Sequence, residues 1–168
     1  MLTIEDGTGL ANANSYVNVA YADAHFLLRG NEAWADLDLA AKEIALIKAT
    51  EYIDIRFANR LQSPPLKEGQ ALQFPKRFFL TPSFTRITGV PEVWKKAVCE
   101  YAIIASAQEL FTASQSGAKE IKLKETKIGP ITTKIEYADV PNAGEYTSYP
   151  QADNLAKSLF RTMSGAIR

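Results

Sequence analysis

Residues Pro91 to Phe111 read PEVWKKAVCEYAIIASAQELF, and the reading of this stretch decides the fold. Proline at the first helical position loses no intrahelical hydrogen bond, so Pro91 is a natural helix start. Val93, Trp94, Ala97, Val98, Tyr101, Ala105 and Leu110 then supply apolar side chains to about Phe111. Ala97, Ala102, Ala105 and Ala107 are small enough to let other helices approach closely. The stretch therefore reads as the central helix of a bundle. Its Cys99 is the single cysteine of the chain, which excludes an intrachain disulfide and a cysteine-rich zinc site. In so apolar a setting it reads as a small buried hydrophobe.

Upstream, Leu39 to about Phe57 forms a second helical pattern with Asp38 as its cap. Leu46, Ile47, Thr50, Ile53, Asp54 and Phe57 fall near one face at 3.6-residue spacing. A first helix is expected from Val19 to about Arg29, capped by Asn18 and closed by Gly30. Before it, Asp6-Gly7 and Gly9 mark a turn, because glycine reaches positive φ without steric cost. Trp34, in the linker after the first helix, closes one end of the core. Residues 60–89 hold Pro64, Pro65, Gly69, Pro75, Pro82 and Gly89, which break helix and strand regularity. Phe74, Phe78, Phe79 and Phe84 are too many rings for a solvated linker, so this is a long aromatic loop packed on the helices or on a partner.

Downstream, Ile121, Leu123 and Glu125 alternate with Lys122, Lys124 and Thr126, and Ile131 to Tyr137 answers beyond Gly129-Pro130. This period of two predicts a β-hairpin. A lone two-stranded hairpin is marginal in water, and a neighbouring subunit could supply its missing contacts. A turn-rich tail follows, with a last helix expected from Gln151 to about Met163. The expected architecture is mainly α: a small bundle of three main helices with a long aromatic loop, a β-hairpin and a C-terminal helical arm. Its expected divisions are a helical core at 1–118, the hairpin at 119–138 and the arm at 139–168.

Nineteen basic side chains balance nineteen acidic ones. A protein that binds nucleic acid through counterion release usually carries a basic excess, so the balance weighs against that as a main role. Near-zero charge favours self-association instead. Leu2 to Asn14 lacks the basic and apolar regions of a signal peptide, and no run of about 18 apolar residues could span a membrane. These features lead to the expectation of a soluble protein from a reducing compartment.

Candidate chemistry is sparse. His25, the single histidine, reads as a surface or half-buried structural residue. Asp6-Gly7-Thr8-Gly9 superficially matches an aspartic-protease loop, but no second Asp-Thr-Gly accompanies it. Gly7 and Gly9 are not followed by the Gly-Lys-Ser/Thr of a phosphate loop. Glu43, Glu51 and Asp54 lack the Glu-x-x-His spacing of a di-iron bundle and read as solvated charges. No enzyme, cofactor or metal is expected. Lys76-Arg77-Phe78-Phe79 does interleave cations with aromatics, the ingredients of a single-strand stacking surface. Lys119, Lys122, Lys124 and Lys127 add charge near the first hairpin strand, with Glu120, Glu125 and Glu136 close by.

Several landmarks together carry a family resemblance. They are Glu5-Asp6-Gly7-Thr8-Gly9 and Ala11-Asn12-Ala13-Asn14-Ser15-Tyr16-Val17; Ala22-Asp23-Ala24-His25-Phe26 with Arg29-Gly30 and Trp34; Ala49-Thr50-Glu51-Tyr52-Ile53-Asp54; Ala71-Leu72-Gln73-Phe74-Pro75-Lys76; Pro91-Glu92-Val93 with Lys96-Ala97-Val98-Cys99-Glu100; and Tyr149-Pro150. With these the chain resembles, over about Leu2 to Phe160, tailed-phage and prophage proteins of head-to-tail connectors. It departs at Phe74 and Lys76, where relatives typically have Trp-Pro-Arg, and in the long 78–86 insert. The resemblance implies a virion neck adaptor, made in the bacterial host cytoplasm. It would form a dodecameric ring with itself beneath the portal protein, bridging it to the next neck protein, a stopper or tail terminator. DNA would be only passing cargo, and no membrane would be involved. It further implies portal or neighbour contact through Tyr149, Leu155, Leu159, Phe160, Met163 and Arg168. Loop and hairpin contacts are expected at Phe78, Phe79, Phe84, Lys122 and Lys124. Members are often labelled "DnaT-like single-stranded DNA-binding", which supplies the alternative function of a replication accessory.

Overall fold

The computed structural model describes residues 1–61, 63–111, 123–128, 131–136 and 147–160. Its α-helices, in chain order, are α1 (Val19–Leu27), α2 (Glu32–Ala35), α3 (Leu39–Phe57), α4 (Glu92–Ala107) and α5 (Pro150–Lys157). Two antiparallel strand pairs accompany them: β1 (Phe79–Leu80) with β2 (Arg86–Ile87), and β3 (Leu123–Ile128) with β4 (Ile131–Glu136). The fold is mainly helical with a small antiparallel hairpin.

The chain divides into two compact units. One comprises residues 1–110 and 148–168; the other comprises residues 111–147. In the first, α4 packs against α1, α3 and α5 and is the central helix. Its small residues permit this: Ala97, Ala102 and Ala105 are buried beside Trp94, Val98 and Tyr101. Cys99 is buried among them, and burial pushes its thiol up to about 12, so it is an inert hydrophobe here. Opposite α4, α3 buries Ala45, Leu46, Ala49, Thr50, Tyr52, Ile53, Asp54 and Phe57.

Local chemistry sets the helix starts. The Asn18 side chain accepts from Tyr21 N at 2.7 Å, and Asp38 accepts from Ala41 N at 2.7 Å. Asn31 does the same for Trp34 N at 3.1 Å, which turns the expected linker into the one-turn α2. Trp34 lies against Phe26 and donates its indole N–H to Asp23 at 2.8 Å. Pro91 stands one residue earlier than the first-turn position expected of it: it is the N-cap, its carbonyl accepting from Trp94 N and Lys95 N. The helix it opens ends at Ala107, short of Phe111.

The N-terminal turn is held by a carboxylate. Buried Glu5 accepts from Gly7 N and Gly9 N at 2.9 Å each and from Leu10 N at 2.8 Å. Both glycines have positive φ, which aims their N–H groups at one anion. His25 is buried rather than at or near the surface, because its Nε2 meets Glu100 Oε1 at 2.8 Å and so ties α1 to α4. Arg29 Nε approaches the same oxygen at 3.5 Å.

The last helix also differs from expectation: it ends at Lys157, and residues 161–168 lie outside those described. Nor is the segment an arm throughout, because α5 packs on α4 with Ala152, Asp153 and Ala156 buried. Asp153 is 1 % exposed and accepts from Tyr101 OH, from Arg56 Nη2 at 2.6 Å and from Tyr149 N at 3.3 Å. That carboxylate joins α3, α4 and α5 at one point.

In the second unit, β3 and β4 pair from Leu123↔Glu136 to Ile128↔Ile131, the register of a two-residue turn. The expected turn residues Gly129 and Pro130 lie outside the described residues, as does Lys122. No helix among the described residues is long and apolar enough to cross a membrane.

Candidate interaction surfaces

The loop from 61 to 90 is anchored before it is exposed. Asp54, on α3, accepts from Tyr16 OH at 2.7 and 2.8 Å and from Gln73 N at 2.9 Å, while Phe74 N donates to Tyr16 Oη at 3.0 Å. Asp54 is thus a buried latch and not one of the solvated charges expected from sequence. Glu51, on the same helix, is exposed. Lys76 is buried too, donating to Gln73 Oε1 at 2.9 Å, so this cation faces the latch and is removed from any surface. Burial lowers its pKa, with the Asp54 charge opposing.

Backbone bonds complete the anchoring. Ala71 N donates to Leu10 O at 2.9 Å, Leu66 N to Pro75 O at 3.1 Å and Arg77 N to Pro64 O at 3.0 Å. The Gln70 amide donates to Leu72 O and Pro75 O. Phe74 sits edge-on to Trp94 and Phe79, with ring centroids 5.2 Å apart in each case.

Burial pushes the Asp54 carboxyl up to about 6, against the opposing Gln73 and Tyr16 hydrogen bonds and the Lys76 charge. Between the ordinary carboxylate range and pH 6 the folded chain therefore holds a proton that the unfolded chain has released. Stability from this group falls as pH rises through that window, by roughly 3 kcal/mol at about 1.4 kcal/mol per pKa unit. Asp54→Asn is accordingly expected to gain on the wild type by roughly 2–3 kcal/mol between pH 4 and pH 7 in urea unfolding. Parallel pH curves for the two proteins would refute this account of Asp54.

Beyond the anchor, β1 and β2 form a short tip with Phe79↔Ile87 and Leu80↔Arg86 in register. Thr81 N donates to Thr85 O and Phe84 N to Thr81 O, both at 2.9 Å, with Phe84 at a φ of 60°. Among the expected contact residues, Phe79 is buried against Phe74, whereas Phe78 and Phe84 are 62 % and 68 % exposed. The Arg86 guanidinium lies 5.4 Å from the Phe78 ring centroid and donates to Arg77 O. Strands of two residues carry no periodicity, so nothing in the sequence marks this pair within the loop.

The expected portal-contact residues divide differently. Tyr149 and Leu159 are buried in the helical unit, Leu155 and Phe160 are half-buried, and Met163 and Arg168 lie outside the described residues. The Phe160 ring stacks on Phe57 at 5.7 Å. Lys124 lies in β3, paired with Ile135.

An open apolar groove of about 470 Å³ lies between α1 and α2, and no sequence pattern announced it. Ala24, Leu27, Trp34 and Ala35 line it, with Asp23 and Glu32 in its walls.

The family model described as "Putative DnaT-like ssDNA binding protein" matches residues 1–168. The chain belongs to that family. No curated protein and no solved structure matches it. The match over the full length takes in the helical unit, the tip and the hairpin together, so all three are features on which a role within the family can draw.

Proposed function

We propose that this family member is a structural head-to-tail connector of a tailed bacteriophage, forming a ring under the portal and bridging it to the next neck or tail protein. The observation that carries the reading is the second unit, residues 111–147, which contributes the paired strands β3 and β4 between α4 and α5 in the sequence. Two strands alone are marginal in water, and each has one edge without a strand partner among the described residues. Such a ribbon is suited to being completed by a neighbouring subunit. The sequence resemblance and the balanced charge favour the same reading, since self-association suits a neutral chain.

The test is to mix the full chain with cognate portal particles and image them by electron microscopy. Rings seated on the portal are expected. Bare portals, together with tight binding to single-stranded oligonucleotides that weakens steeply with salt, would overturn the connector.

That opposite outcome belongs to the second reading, single-stranded DNA binding, which the family description favours. The exposed tip also favours it: Phe78 and Phe84 could stack bases while Arg77 and Arg86 meet phosphates.

A further inference from the structure

We infer that the aromatic tip around Phe78 and Phe84 of one copy seats in the α1–α2 groove of a second copy, a head-to-tail contact between two different patches. The inference rests on the ring reading above and supplies the interface which that reading leaves open. Contacts of this heterologous kind close into rings when the rotation permits.

Size is the first argument. An apolar cavity of about 150 Å³ accommodates benzene, so a groove of about 470 Å³ has room for two aromatic side chains. Ala24 and Ala35 are exposed in it above the buried Trp34, whose ring has Lys42 Nζ 5.8 Å from its centroid, and at its edge Leu27 stands 81 % exposed. At Gly30, on the rim, an added Cβ would meet no atom within 4 Å, so the approach is open.

Charge is the second argument. From residue 69 to residue 91 the chain has no acidic residue, and its exposed cations are Arg77 and Arg86, Lys76 being buried. Among the described residues neither Arg77 nor Arg86 has a carboxylate partner: Arg77 reaches the Leu66 carbonyl and Arg86 the Arg77 carbonyl. On the groove side, Asp23 and Glu32 stand in the wall, Asp23 paired with Lys42 at 3.0 Å, and Asp36 follows α2. Glu32 and Asp36 are exposed and have no cationic partner among the described residues. An apolar knob flanked by two exposed arginines therefore meets, on another copy, an apolar hole with Glu32 in its wall, the other wall carboxylate, Asp23, being paired with Lys42. Opposite charge around an apolar centre fixes register and speeds encounter. Within one copy the tip side chains stay exposed and the groove stays open, so the two surfaces do not satisfy each other in the same chain.

Two measurements on the full chain test this. In the first, a Phe84→Cys chain is mixed under mild oxidation with a tagged Leu27→Cys chain, Cys99 being buried and inert. A mixed disulfide dimer is expected at least tenfold faster than with Ile55→Cys, an apolar position on α3 that is 54 % exposed, a difference in exposure too small to account for a tenfold rate. Phe78→Cys replaces Phe84→Cys if the latter melts early. In the second, Arg77→Glu and Glu32→Arg are each expected to abolish rings on portal particles. Mixing the two variants, or combining both changes in one chain, restores the charge pairing and should restore the rings. Wild-type rings with no mixed disulfide preference and undisturbed assembly of both variants would overturn the interface while leaving the connector reading intact. No rings from the wild type and no mixed disulfide from the cysteine variants would overturn both. Loss of oligonucleotide binding in Arg77→Glu, without cross-linking, would reassign the tip to nucleic acid.

Discussion

Replacing Asp153 with alanine is expected to remove about 3–5 kcal/mol of stability, the usual result of breaking a buried ion pair from one side. The carboxylate is enclosed, and its main partner Arg56 has a side chain only 9 % exposed. Without Asp153 the largely buried guanidinium loses this carboxylate, and Tyr101 OH loses its acceptor. For a chain of this size the melting temperature should fall by roughly 10 °C, read by circular dichroism. Lys157, which approaches the same carboxylate at 3.8 Å from a half-exposed position, is the control. Lys157→Ala should change stability by less than about 0.5 kcal/mol. If both substitutions have equal small effects, Asp153 is not the junction of α3, α4 and α5.

Phe74→Ala should be comparably damaging, at about 3–5 kcal/mol, through lost burial and the cavity left behind. Its ring is fully buried and is the edge-to-face link between Trp94 on α4 and Phe79 at the base of the tip. Phe78→Ala and Phe84→Ala remove rings of the same size from exposed positions and should each change stability by less than about 0.5 kcal/mol. Thermal melts of the three proteins decide the matter. A Phe74→Ala melt indistinguishable from Phe84→Ala would mean that the loop is not held by its rings. The contrast also separates the aromatics that build the loop from those it offers to a partner.

The helices were legible because their signals are local. The caps at Asn18 and Asp38, the 3.6-residue spacing from Leu46 to Phe57 and the small residues of α4 all operate within a few turns. The β3–β4 pairing was legible for the same reason, since a period of two on both sides of a short turn fixes register. Burial of polar groups was not. Asp54 looks like any acidic helix residue until Tyr16 and Gln73, 38 and 19 residues away, bring their donors to it. Asp153 is hidden in the same way, its partner Arg56 lying 97 residues off. Of the candidate contact residues, sequence named the ring-bearing positions but could not sort Phe79 inward from Phe78 and Phe84 outward. The α1–α2 groove depends on how two helices meet, which composition does not encode.

Placing Asp153 after the inserted unit has a consequence for synthesis. A chain emerging from the ribosome completes α3 and α4 with Arg56 and Tyr101 in place, yet the carboxylate that both reach arrives only after residues 111–147 have been made. Nascent helical body must therefore wait through the whole insertion, its future core still open to water, until the segment from Tyr149 to Leu159 closes it. The hairpin is born before the body it interrupts is finished, and the last helix translated among the described residues is the one that joins α3 and α4 at Asp153.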